Sequence, residues 1–180
     1  MDDRIKKALD DFANRRIYRT LSPQILASIP DDKVEQAIFD YAASKLEGHY
    51  DDEVNIVSRL PLGVRALYVT WEVEAEVNNG GFHQYYWNTA DRYSTQAVEG
   101  FEFFGAEKHA ALMRMANSIR AKEIDTSAKF RREDTAEAFS ESSKASHLGP
   151  LDDQFYGLDE NLSVLRVAKI RAIPLVFSGR

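Results

Sequence analysis

Two asparagines and two glycines, Asn78-Asn79-Gly80-Gly81, interrupt a stretch whose apolar residues otherwise recur at helical spacing. Asparagine and glycine tolerate the left-handed backbone that other residues avoid, so a helix ending near Val77 is expected to cap and turn here. Four aromatic residues follow within six positions: Phe82, Tyr85, Tyr86 and Trp87. Aromatics this dense are expected to supply much of the core beside the turn. Gln84 and Asn88, four residues apart, are placed to bond backbone groups freed at the turn, because buried amides require partners. Asn88 or Thr89 could also cap the next helix. These spacings describe a turn wedged against an aromatic cluster. A ligand-binding reading of the same residues gathers Glu76, His83, Gln84 and Tyr85 around a pocket, with Glu72 one helical turn before Glu76 to raise its pKa.

The rest of the chain reads as helices. Trp71 to Val77 alternates in the manner of a strand, but Val64, Leu67, Tyr68, Trp71 and Ala75 extend a helical stripe over four turns, and length decides for the helix. Residues 3–14 carry Ile5, Ala8, Leu9 and Phe12 at helical spacing. Ser22-Pro23 is a start signal, Asp31 or Asp32 is expected to cap a helix stopped by Gly48, and Pro61 ends a short helix begun near Glu53. Gly105 closes 92–104, residues 106–121 are strongly amphipathic, Pro150 restarts order, and 161–172 is a last helix. Between them, 122–148 is polar and is expected to be an irregular or weakly helical excursion. The fold class is all-α, a compact multi-helix bundle.

At 180 residues the chain fits a single domain, 1–180. It has no cysteine, which removes disulfides, thiolate metal sites and cysteine nucleophiles. No segment reads as a signal peptide, and no apolar run approaches the ~20 residues of a membrane span, so a soluble cytoplasmic protein is expected. His49, His83, His109 and His147 lack metal-ligand spacing, and no phosphate loop, dinucleotide fingerprint or nucleophile elbow is present. No metal, cofactor or catalytic residue is therefore assigned. The formal charge of −6 is uneven: residues 31–76 hold eleven acids against four bases. That balance argues against direct nucleic-acid binding, which needs a concentrated basic surface, and suits a basic partner.

Glu76-Val77-Asn78-Asn79-Gly80-Gly81-Phe82-x-Gln84-Tyr85-Tyr86-x-Asn88 resembles the signature of a bacterial protein family whose named example is a DNA mimic. Leu151-Asp152-Asp153-Gln154-Phe155-Tyr156 and Phe104-Gly105-Ala106 resemble further blocks of it, giving similarity from about 60 to 170. The resemblance implies an all-α fold, a homodimer, no established enzyme activity, and an acidic surface that occupies a DNA-binding protein. The expectation is a non-enzymatic protein-binding module whose DNA-like face is built from Asp31, Asp32, Glu35, Asp40, Asp51, Asp52, Glu53 and Glu72. The alternative is a small-molecule enzyme or ligand-binder using the pocket at Glu76, His83, Gln84 and Tyr85. In either case Asn79, Gly80, Gly81, Phe82 and Asn88 would shape the turn.

Overall fold

Glycine, proline and side-chain caps divide the chain into ten α-helices among the residues described by the computed structural model, 3–133 and 135–179. In order these are α1 (Asp3–Ala13), α2 (Pro23–Ser28), α3 (Asp31–Leu46), α4 (Glu53–Arg59), α5 (Leu62–Thr89), α6 (Ser94–Phe104), α7 (Glu107–Arg131), α8 (Ala136–Lys144), α9 (Gly149–Tyr156) and α10 (Leu162–Ala172). Single 3₁₀ turns lie at Tyr50–Asp52 and Pro174–Phe177. The all-α class is as expected, and the only strand-like pairing among the described residues is a bridge between Leu21 and Gly179.

The local signals act as their chemistry requires. The Ser22 hydroxyl accepts from the Ile25 amide with Pro23 in the first turn of α2. Asn161 caps α10 in the same way through Val164. Gly48 and Gly105 both take positive φ just past a helix end. Two expectations change. Pro30, rather than Asp31 or Asp32, occupies the cap position of α3, and both aspartates lie in its first turn. Neither Asn88 nor Thr89 caps α6, because α5 runs through Thr89 and ends at Ala90 in the left-handed region.

The polar stretch 122–148 is largely helical: α7 continues to Arg131 and α8 spans Ala136–Lys144. An exposed helix needs no apolar stripe, and beyond Ala116 α7 buries only Ser127, which is 9% exposed.

α5 is the axis of the fold. Its first half packs against α3 and α4 in one apolar cluster that includes Val34, Ile38, Tyr41, Val57, Val64, Leu67 and Phe177. Its second half joins α6, α7 and α9 in another, with Val77, Phe82, Tyr85, Tyr86, Phe101, Met113, Leu151 and Phe155. Gly100 lets α6 approach closely, since a Cβ there would press on Thr70 and the Ala66 carbonyl. α1 stands apart from this core. It leaves an open groove of about 790 Å³ against α3, and the chain just beyond it is fastened by Arg15, which grips Asp40 with two bonds of 2.6 and 2.8 Å.

Candidate functional site

The Asn-Asn-Gly-Gly segment is a kink inside α5. Gly80 has φ −164° and ψ 26°, and Gly81 has φ 78° and ψ 178°, a region open essentially to glycine alone. A kink breaks the ladder of i→i−4 bonds, so donors of the second half and carbonyls of the first need other partners. α9 supplies them. The Phe82 amide donates to Asp152 Oδ1 at 2.8 Å, and the Tyr156 hydroxyl donates to the Val77 carbonyl at 2.7 Å. Phe155 meets Phe82 edge-to-face with ring centroids 5.8 Å apart. A Cβ on Gly81 would collide with the Asp152 carboxylate, so the glycine is required by space as well as by φ.

The amides expected to bond backbone groups do something else. Gln84 Nε2 and Asn88 Nδ2 both donate to Glu76 Oε2, each at 2.8 Å. One carboxylate on the first half of α5 thus holds two side chains of the second half. Glu76 and Gln84 are brought together, but as a brace across the kink.

His83 and Tyr85 do not join them. His83 Nε2 lies 3.1 Å from Ser142 Oγ, and its ring packs between Phe139 and Trp87. It lines a small cavity of about 20 Å³ with Tyr86, Arg120, Glu123 and Ser146, room for about one water molecule. Burial, and then the Arg120 charge, hold its pKa below the ordinary histidine value. Tyr85 is fully buried beside Tyr86, and its hydroxyl has no partner among the described residues. Asn79, Gln84 and Asn88 instead border an open depression with Trp87 and Phe139. The four residues of the pocket reading therefore do not converge on one space. No group of three or more potential metal ligands occurs among the described residues.

The acidic residues of 31–76 separate into two populations. Asp40 is only 6% exposed, clamped by Arg15 and accepting from Gln36 Nε2 at 2.9 Å. Glu53 is 8% exposed and accepts from the hydroxyls of Tyr68 and Tyr93 at 3.1 and 2.9 Å, with Arg92 at 3.4 Å. Glu72 shares Tyr68, its Oε1 lying 3.4 Å from that hydroxyl while its Oε2 is buried without a partner. One hydroxyl proton cannot serve two carboxylates. Burial, and then the nearby Glu53 charge, push the Glu72 pKa up to about 7. Glu35 faces α10, where the fully buried Arg166 bridges it at 3.4 Å and Glu74 at 2.6 Å. These four residues are structural, and Asp40, Glu53 and Glu72 leave the surface face expected of them.

Asp31, Asp32, Asp51 and Asp52 are exposed. Asp31 pairs with Arg171, and Asp52 accepts from the Asn55 side chain. Asp32 and Asp51 have no ion pair among the described residues. Asp31 and Asp32 lie in the first turn of α3, and Asp51 and Asp52 in the 3₁₀ turn that follows its other end. Between them Glu47, exposed at the C-terminal end of α3, pairs with Arg19.

Asp152, Tyr156 and Arg166 were not singled out by spacing. The first two lie in the block Leu151–Tyr156, whose resemblance was the available signal, but their target lies some seventy residues upstream. Glu160 is a fourth. It accepts from the backbone amides of Lys108 and His109 and lies 2.8 Å from His109 Nδ1, so it caps α7 and holds a buried histidine at once.

Comparison with curated proteins and with solved structures gives no match. No helix among the described residues is long and apolar enough to cross a membrane. The family model of the DMP19-like protein matches residues 58–172, which takes in α5 with its kink, the capping helix α9 and α10. The chain belongs to the DMP19-like protein family.

Proposed function

We propose that the protein is a non-enzymatic, protein-binding module of the DNA-mimic kind, which engages a basic DNA-binding protein through exposed carboxylates. The observation that carries this reading is the family match over 58–172. The placement of the acids supports it in a narrower form than their number in the sequence does. Asp31 and Asp32 in the first turn of α3, and Asp51 and Asp52 in the 3₁₀ turn at 50–52, are the carboxylates offered to a partner. Two separate acidic clusters suit a protein whose basic groups contact separated phosphates along a duplex. Asp40, Glu53 and Glu72 are spent inside the fold. The homodimer implied by the family resemblance belongs to this reading, since a symmetric pair doubles the clusters presented.

The test is capture of basic DNA-binding proteins from a cell lysate on the immobilised chain, followed by elution with salt and with duplex DNA. Ionic contacts weaken as salt rises, so the captured protein should elute steeply between low and high salt, and duplex DNA should displace it. Capture that survives both would refute the reading.

A further inference from the structure

The depression beside the kink is lined by amides and aromatic rings, with about 410 Å³ of space among Asn79, Gln84, Trp87, Asn88 and Phe139. Two of its amides are fixed in orientation. Only the NH₂ end of an amide can donate to a carboxylate, and Gln84 Nε2 and Asn88 Nδ2 both donate to Glu76 Oε2 at 2.8 Å. Their oxygens are therefore turned away from Glu76, and neither accepts a hydrogen bond among the described residues. Gln84 Oε1 lies over the bare, exposed Gly80, in the space a Cβ would take. Asn88 stands one helical turn further on and is exposed. Glu76 itself is half-buried, and among the described residues it forms no ion pair, so two neutral amides hold its charge. Trp87 borders both this depression and the small cavity of His83. The Arg131 guanidinium, 5.7 Å from the indole centre, lines the cavity and not the depression, while Phe139 meets the indole edge-on at 5.3 Å.

We propose that this depression is an arginine site, which takes the guanidinium of an arginine side chain from a partner protein. Three features select that group. A guanidinium carries its donors in one plane, enough to serve oxygens from two residues one turn apart. It stacks on aromatic rings, which Trp87 and Phe139 supply. Its charge answers the Glu76 carboxylate behind the two amides. A lysine ammonium matches the charge but not the plane, and it is more strongly hydrated. A peptide N–H would use one oxygen and leave the charge unanswered. The inference rests on the function proposed above for the source of the arginine, because a basic protein that contacts phosphates carries such side chains. To the exposed aspartates it adds a site built on the kink of α5.

The experiment titrates the isotope-labelled full chain with N-acetyl-arginine amide and, separately, with N-acetyl-lysine amide. Proton–nitrogen correlation spectra follow the side-chain amides of Gln84 and Asn88 and the indole N–H of Trp87. The arginine compound should shift all three signals along one saturating curve in the millimolar range. The lysine compound should bind at least about fivefold more weakly. Glu76→Gln removes the charge at nearly constant size and should weaken arginine binding by about fivefold or more, and its own spectrum shows that it is folded. No shift up to about 50 mM arginine compound, equal binding of the two compounds, or shifts confined to other residues overturns the site. Unchanged arginine binding in the folded variant overturns it too, and if the variant does not fold the unaltered chain decides alone. These outcomes are separate from the capture of a DNA-binding protein: an arginine site without capture leaves the site standing while the partner reading falls.

Discussion

The Asp152 carboxylate caps the amide of Phe82 across 70 residues of sequence at 2.8 Å, and this single bond ties α9 to the kink of α5. The kink opens the helix, and α9 closes it with a carboxylate on one side and the Tyr156 hydroxyl on the other. Replacing Asp152 with alanine removes an N-terminal cap and should cost about 1–2 kcal/mol. Thermal unfolding measures it, with a fall of several degrees for a domain of this size. Asp152→Asn keeps an acceptor and should recover part of the loss.

The two glycines should respond differently to alanine. Gly81 has positive φ and lies against Asp152, so Gly81→Ala combines backbone strain of about 1–3 kcal/mol with a broken cap. At Gly80 φ is not positive, and a Cβ meets the Gln84 side chain from its amide down to its Cβ at 3.2 Å, so the substitution shifts Gln84 against Glu76 without straining the backbone as at Gly81. Denaturant titration should place Gly80→Ala closer to the unaltered protein than Gly81→Ala. The reverse order would mean that the kink is not held as described.

Glu72 should make stability depend on pH. Its folded pKa of about 7 lies above the ordinary value of 4.5, because burial and the Glu53 charge favour the neutral acid. Below pH 4.5 the carboxyl is protonated whether folded or unfolded, and it costs nothing. As pH rises from there to about 7 the unfolded chain ionises first, so stability is lost across that window and levels off above it. Glu72→Gln removes the ionisation and should stabilise the protein by about 2–3 kcal/mol above pH 7, with little effect at pH 4.5. Chemical denaturation at both pH values distinguishes this from a pH-independent packing effect.

Glu76 ties Gln84 and Asn88 across the kink, and Glu76→Ala should leave two amides without their acceptor. A loss of about 1–2 kcal/mol is expected, and Gln84→Ala in the Glu76→Ala background should add little. The double-mutant cycle reads this directly: additive losses would show that the two side chains do not depend on one another.

Local chemistry made the helices legible. Ser22-Pro23, Gly48 and Gly105 mark ends by mechanisms that need only neighbouring residues, and Asn79-Gly80-Gly81 marks a break whose backbone angles only glycine supplies. The partners that close the break were not legible, because Asp152 and Tyr156 act across some seventy residues. The acids divided for the same reason. Asp40 lies three residues after Ala37 at the edge of the apolar stripe of α3, yet nothing nearby shows that Arg15 will clamp it. Glu53 is held by tyrosines 15 and 40 residues away. A count of carboxylates along the chain cannot separate those that bind a partner from those that bind the fold.

That separation is tested most directly by the affinity for the captured DNA-binding protein of the variant Asp32→Lys/Asp51→Lys/Asp52→Lys, measured beside its thermal transition. All three positions are exposed and outside the kink, so the transition should stay within about 2 °C of the unaltered chain. Binding should weaken by at least tenfold, and the salt dependence should flatten as ionic contacts are lost. Unchanged affinity in this folded variant would contradict the account.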